Sequence, residues 1–542
     1  MEEVKYQSIV VGGGIAGLTC AAFLAKKGHR VLLIEKNKEC GGLVNSFSHN
    51  GFRFDTGIRA LENAGIIFPM LNELGIKLEI VKSPVSVGVE NEILNIESIK
   101  NLTDYGNLLK KLYPESEAET DQIIKIIRKV MKHMDVLYGI ENPFFKDLRY
   151  DRAYLFKELL PWLPKFLFTT GKVNRMNVPV EPYLEKIIKN PSLRDIISQH
   201  FFRNTPAFFA LSYFSLYLDY FYPRGGVGKL AGAVEKRFLE WGGKILRETT
   251  ITKVLAPEKR VIDHNNTGYF YQNLVWAADL KTLYRITSTE GLSRKIMTNF
   301  EKVKSRLLGK RGGDSVFTLF VEVDEPVENF KRISHGHFFY SPSKEGLGET
   351  HRGDLDRILS APGRPDKTTI LNWLDKFLAL NTYEISIPAL KDPDMAPEGK
   401  TGLIISTLTD YDLFKLVNEA GWYSEFITEL EERIIKVLAA SVYPMLKEKA
   451  MESFSFSPLS YEKRVGSSEG AITGWSFREP VPVINKIMAA NRAVITPIPS
   501  IYQAGQWTYS PAGVPMSILT GKLAANRIMG SCYTILKAGV KL

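Results

Sequence analysis

The sequence predicts an α/β protein of two domains. Within its first 35 residues it reads strand, glycine turn, helix, strand and acidic residue, the order of a parallel nucleotide-binding unit. Its 542 residues exceed the size at which one hydrophobic core stops growing, so a second domain is expected. A hydrophobic share of 44% and a charged share of 24% describe an ordinary globular protein rather than a disordered or membrane-spanning one.

Ser8-Ile9-Val10-Val11 is a short apolar run suited to a buried parallel strand. Gly12-Gly13-Gly14-Ile15-Ala16-Gly17 follows at once and supplies G-x-G-x-x-G. Gly12 permits the tight turn, Gly14 lets a pyrophosphate approach the backbone, and Gly17 lets the helix pack closely on the strand. Gly13, Ile15 and Ala16 complete the wall of that loop. A small-residue helix from Ala16 to Lys27 points its positive end at the phosphates, and Gly28 is placed to stop it. Val31 to Ile34 is the second strand, ending at Glu35, whose carboxylate accepts hydrogen bonds from ribose hydroxyls and repels a 2′-phosphate. The unit therefore predicts an adenine dinucleotide other than NADP.

The continuation Glu35-Lys36-Asn37-Lys38-Glu39-Cys40-Gly41-Gly42 resembles the E-K-x-x-x-x-G-G extension of the two-domain flavoproteins that include amine oxidases and carotenoid desaturases. The resemblance implies FAD, with Lys36, Gly41, Gly42 and Leu43 near its ribityl and diphosphate region. Family members usually carry Arg after the glycines; Leu43 stands there in this chain, so no phosphate contact is carried over to it. Gly51 to Ile58 alternates like a strand entering a glycine turn and resembles the segment beneath the flavin in phytoene desaturases, carotenoid isomerases and retinol saturases. That likeness puts Asp55, Thr56 and Gly57 at the flavin.

Further matches recur along the chain. Tyr222 to Leu230 resembles a Y-P-x-G-G-x-x-x-L motif, after which a strand would carry Val254 near the adenine. Leu274 to Asp279 looks like the next cofactor-domain strand. Asp392 to Gly399 is similar to the D-P-x-x-A-P-x-G segment of the carotenoid desaturase and retinol saturase group, which most amine oxidases lack. Ile501 to Gln506 and the turn Pro511 to Pro515 close the domain, with a helix from about 517 to 528 aiming its N-terminal amides at the flavin pyrimidine. Gly505, Gln506, Gly513, Val514 and Pro515 are the flavin contacts this implies. No cysteine or histidine lies beside that turn, so the FAD is expected to be noncovalent.

The implied architecture is that of the amine-oxidase-like flavoproteins. A discontinuous FAD-binding Rossmann-like domain takes residues 1–65, 222–280 and 497–542. A substrate domain takes 66–221, mostly helical with a membrane-facing part, and 281–496, of mixed sheet and helices.

A net charge of +10 and pI of 9.1 come without any nucleic-acid motif, so nucleic acid is not an expected partner. Three cysteines form no framework, and His335 and His337 lack a third ligand; no metal is expected. A first strand near residue 8 and the pair Glu2-Glu3 speak against a signal peptide, which predicts a cytoplasmic protein.

Two stretches bear on the substrate. The aromatic run from Phe201 to Tyr222 reads either as a core helix and strand or as a tunnel for a long apolar ligand. Tyr154 to Phe168, centred on Trp162 and flanked by lysines, reads as an interfacial, monotopic membrane anchor or as a core helix broken at Pro161 and Pro164. No acid–base dyad stands out, and Arg59, Trp507 and Tyr509 are the candidates to line the reacting position. The expected activity is hydride transfer at the flavin to or from carbon–carbon double bonds of an apolar isoprenoid or polyene lipid. Saturation, desaturation and isomerisation stay open, as does the external electron donor or acceptor. The rival readings are an amine or protoporphyrinogen oxidase and a non-redox prenyl-lipid carrier of the GDP-dissociation-inhibitor type.

Overall fold

The computed structural model describes residues 5–530 apart from 147, 149, 349 and 362–364; Glu2, Glu3 and Cys532 lie outside the described residues. Its first sheet is built around two parallel strands, Lys5–Val11 and Gly268–Trp276, with Val10 opposite Val275. Val31–Ile34 and then Lys244–Leu246 add in parallel on one side, and Ile501–Gln503 pairs with the end of Gly268–Trp276. Three distant stretches of chain therefore meet in one sheet. Val31 to Ile34 are all buried, as expected of a strand covered on both faces.

The helix Ile15–Lys26 explains its own composition. Every residue from Ile15 to Ala25 is buried, because it packs against the helices Gly228–Glu240 and Val514–Ile528 as well as the sheet. Small side chains are the condition for that closeness: a Cβ on Gly521 would stand 2.4 Å from the Ala16 carbonyl oxygen. Gly28, at φ +79°, ends the helix, and its N–H bonds the Ala25 carbonyl at 2.8 Å.

A second sheet of seven strands runs Ala450–Phe456, Ser315–Val323, Thr401–Thr409, Tyr383–Ser386, His337–Ser341, Val85–Val89, Glu92–Ile96. It is antiparallel except between His337–Ser341 and Val85–Val89. Its members Val85–Val89 and Glu92–Ile96, with Ile80–Lys82, interrupt the region that the sequence pattern assigns mainly to helix. These strands are three to five residues long and turn at Glu90, φ +55°, too short for alternation to stand out. Helices Asn101–Leu112 and Glu117–Tyr138 follow them.

The proline-containing helix is not broken. A wider turn at Leu155–Leu159 leads into Leu160–Asn174, which takes Pro161 in its first turn and runs on through Pro164. Trp162 and Phe166 stack at 4.3 Å on the protein side, and the Trp162 indole donates to the Val136 carbonyl. The exposed rings are Phe156 at 61% and Phe168 at 69%.

The tight meeting of the two helices makes a direct prediction. Gly521→Leu should destabilise the fold by about 1–3 kcal/mol or more through overpacking, read as a lowered urea midpoint with an unchanged slope.

Candidate active site

A single cavity of about 740 Å³ connects the two sheets. One end is the glycine turn after the first strand. Gly12, at φ +104°, brings its backbone so near Ala277 that a Cβ would stand 2.6 Å from that carbonyl oxygen. Gly17 is tighter, since a Cβ there would stand 1.9 Å from the Gly12 oxygen. Gly14 differs from both. It has φ −68°, no atom within 4 Å of where its Cβ would be, and an open side facing the cavity. No side chain caps the helix that begins beside it, so its first amides are free to bind an anion.

Glu35 is the second part of this end. One carboxylate oxygen accepts from Gly13 N at 2.6 Å and the other from Asn37 N at 2.9 Å, which fixes the loop and the carboxylate together. Ile15, Ala16, Lys36, Gly41, Gly42 and Leu43 line the same stretch. The Lys36 amine donates to the Lys463 carbonyl at 2.9 Å, and Gly41 N reaches Gly13 O at 2.8 Å. Further along stand Gly57, Gly505, Gln506, Gly513, Val514 and Pro515. Thr520 Oγ1 accepts from Gly505 N at 2.9 Å, and the helix Val514–Ile528 opens onto the cavity without a side-chain cap.

Three of the expected residues do not line the cavity. Val254 is wholly enclosed in the core beside Val261 and Leu283; the cavity meets its strand three residues earlier, at Thr249, Thr250 and Ile251. Asp55 and Thr56 do not line the cavity either. The Asp55 carboxylate accepts from Ser46 Oγ at 2.7 Å, Tyr222 OH at 2.7 Å and Val227 N at 2.9 Å. Thr56 Oγ1 donates to Asn45 O at 3.0 Å. These two residues lock the Tyr222–Leu230 turn onto the turn at Gly57, and Asp392 adds a bond from Gly225 N at 2.6 Å. The glycines from 225 to 228 thus serve a joint and not a second nucleotide.

The candidates for the reacting position all line the cavity. Arg59 is buried, donating to Asp55 O at 2.8 Å, Ser406 Oγ at 2.8 Å and Thr318 Oγ1 at 3.4 Å. Trp507 and Tyr509 are buried beside it. The aromatic run divides: Phe202, Phe208, Phe209, Tyr213 and Tyr220 line the cavity, while Phe201, Phe214 and Tyr222 sit in the core. One part of that stretch therefore lines the cavity and another fills the core.

Sequence reasoning missed a polar set on the chamber wall: Glu62, His200, His337 and Glu384. His337 Nε2 bonds Glu384 Oε1 at 2.9 Å. Burial pushes His200 down to about 3 and holds His337 below its ordinary range. Burial pushes the Glu62 carboxyl up to about 8, with the Asp219 charge adding to it. Burial acts upward on Glu384 too, but the His337 hydrogen bond and the Arg59 and Lys391 charges hold it below the carboxylate range. Lys391 itself is driven down to about 7 by burial, its amine donating to Arg59 O and Ser386 Oγ at 2.8 Å each. An acid at the second position of Tyr383-Glu384-Ile385-Ser386, a strand buried at its other three positions, was the available signal.

His335 and His337 engage different carboxylates, Glu97 and Glu384. Away from the cavity His49, Glu322 and Glu452 gather potential ligand atoms within 4.8 Å, where His49 pairs with Glu322 at 2.8 Å.

A family model described as an NAD(P)-binding Rossmann-like domain matches residues 10–74. The chain is 24% identical over 532 residues to all-trans-retinol 13,14-reductase of Macaca fascicularis, covering 93% of this chain and 82% of that one. It is 24% identical over 553 residues to prolycopene isomerase 2 of an Oncidium hybrid, covering 97% and 84%. With 4,4′-diapophytoene desaturase of Staphylococcus aureus it shares 20% over 539 residues, covering 96% and 98%. Over nearly its whole length the chain is therefore similar to retinol reductases, prolycopene isomerases and a diapophytoene desaturase. The crystal structure of an oxidoreductase from Methanosarcina mazei shares the fold, with a TM-score of 0.60 at 16% identity over 97% of this chain and all of that one.

The residues of the cleft fit a flavin dinucleotide. Gly14 and the free amides of Ile15–Lys26 suit the diphosphate, Glu35 the ribose, and the uncapped start of Val514–Ile528 an electron-rich ring edge. Gly14→Val should fold with a thermal midpoint near wild type and purify without cofactor absorption, since its side chain would occupy the phosphate space. Gly17→Val should instead fail to fold, and equal losses in the two variants would contradict this division.

Proposed function

We propose that this chain is an FAD-dependent oxidoreductase acting on carbon–carbon double bonds of an apolar isoprenoid or polyene lipid, with the cofactor held noncovalently. The observation that carries the reading is the continuity of the cavity. The same space that touches Gly14 and Glu35 reaches Tyr213, Tyr220 and Phe339 without an intervening wall. A long conjugated chain laid among those rings meets flat, polarizable faces and little water. Bound flavin supplies hydride exchange, and the protein supplies position and electrostatics. Arg59, Trp507 and Tyr509, buried in the cavity wall, are the candidates to position a reacting carbon, which must approach to about 3–3.5 Å. No cysteine lines the cavity among the described residues, which favours noncovalent attachment. The relatives' printed names span reduction, isomerisation and desaturation, and they support this substrate class for the chain.

The same proposal places the protein on a membrane surface. No described helix is long and apolar enough to cross a bilayer. The stretch from Phe156 to Asn174 exposes Phe156, Leu160, Leu167 and Phe168, while its Thr170, Val173 and Asn174 line the cavity. One face would lie in the lipid interface, with Lys157 and Lys165 at headgroup level, and the other would open toward the chamber. A lipid leaving the bilayer through water loses about 0.8 kcal/mol per exposed CH₂, so direct uptake is favoured. The redox partner is an external donor or acceptor.

Anaerobic incubation with all-trans-retinol, prolycopene and 4,4′-diapophytoene tests the chemistry through flavin absorbance. Bleaching of oxidised flavin identifies desaturation, reoxidation of reduced flavin identifies saturation, and altered product geometry with neither identifies isomerisation. Bleaching by a polyamine alone would overturn the proposal. Phe156→Glu with Phe168→Glu should abolish flotation with anionic liposomes and leave the flavin spectrum unchanged.

A further inference from the structure

We propose that Glu62 is the proton donor and acceptor of this cavity, and that Glu384, fixed by His337, is the anion that steadies positive charge on the substrate while the proton moves. The inference rests on the lipid-oxidoreductase reading above and assigns the proton that such a reaction requires.

The two carboxyls share one wall. Glu62 lies directly opposite Tyr220 in the antiparallel pair of Leu61–Glu62 with Tyr220–Pro223, and both line the cavity. The Tyr220 ring stacks on the His337 ring at 5.1 Å and 9°. His337 in turn bonds Glu384, whose side chain is 35% open to the cavity against 3% for His337. Glu62 follows closely on the turn that carries Gly57 and Arg59, and all three line the cavity.

Their surroundings differ in kind. The Glu62 carboxyl has no hydrogen-bond or ion-pair partner among the described residues, and the titratable groups that face it are Asp219, Tyr138, Tyr213 and Tyr220. None of these is a cation. Glu384 instead has His337 in contact and the Arg59 and Lys391 charges nearby. One carboxyl is therefore neutral at pH 7 and the other ionised, the separation that assigns an acid and an anion within one site.

In the proton-giving direction the Glu62 O–H bond breaks and the π electron pair of the substrate double bond forms a new C–H bond with that proton. Glu62 is left as carboxylate and the neighbouring carbon is electron-poor, facing the Glu384 charge. Saturation is completed by a hydride taken from reduced flavin, and isomerisation by return of the proton to Glu62 after rotation. Desaturation is the reverse, with hydride leaving to oxidised flavin and the proton to ionised Glu62. Saturation and isomerisation should then slow as pH rises through about 8, and desaturation should speed up there.

The holoenzyme tests this by infrared difference titration. Wild type should show a protonated carboxyl stretch at neutral pH that is lost above about 8 and is missing in Glu62→Gln. With whichever of all-trans-retinol, prolycopene or 4,4′-diapophytoene reacts, Glu62→Gln should lower turnover about 10²–10⁴-fold at unchanged flavin absorption. Glu62→Asp should recover part of it, and Glu384→Gln should slow turnover while keeping the infrared band. A missing band in wild type, or Glu62→Gln turning over like wild type, would overturn the assignment. A titrating band in an enzyme that reacts with none of the three polyenes would place the failure in the lipid reading instead.

Discussion

Everything around the cavity depends on how the Asp55 carboxylate is held. It is wholly enclosed, and three donors from separate parts of the chain converge on it: Ser46 Oγ, Tyr222 OH and Val227 N. A buried carboxylate is tolerated only when it is hydrogen-bonded so fully, and bonds to a charged acceptor contribute about 1.5–3 kcal/mol each. Through them the hairpin of Ser46–His49 and Phe52–Asp55 is fixed to the turn before the helix Gly228–Glu240, which itself packs on the glycine-loop helix. Arg59, a few residues along, takes the Asp55 carbonyl as one of its three acceptors. The cavity wall therefore inherits its rigidity from a residue that never touches the cavity.

That rigidity has an electrostatic purpose. Arg59 lines the chamber and Lys391 lies buried behind it, and the charges of both act on Glu384. In a buried setting fixed charges act more strongly than in solvent. The chamber is lined by many aromatic and aliphatic side chains, with Glu62, His337 and Glu384 among its polar members.

Much of this was legible in the sequence because local chemistry determines it. The glycine loop and Glu35 have one geometric solution, and the residues from 8 to 42 fold as their spacing requires. Gly505 and Gly513, picked out by their motifs, line the cavity as well. What misled was resemblance read as contact. Asp55 and Thr56 belong to a motif at the flavin turn, yet the motif exists to join two turns, and only Gly57 faces the cavity. Val254 was one strand-face and three residues too far along. The wall formed by Glu62, His337 and Glu384 was invisible for a different reason. Its members come from three strands whose pairing depends on chain crossovers that periodicity does not encode.

The close contact of Gly521 with Ala16 ties the helix Ile15–Lys26 to the helix Val514–Ile528, nearly five hundred residues apart in the chain. Both open onto the same cavity, and the strand Ile501–Gln503 completes the sheet beneath them. During synthesis the glycine loop emerges long before the other half of its cradle. A nascent chain can form the strand–turn–helix unit early and still lack a closed seat for the dinucleotide until residues beyond 528 have cleared the ribosome. Cofactor loading is in that sense a late event, and the apolar chamber must be kept from other chains until then.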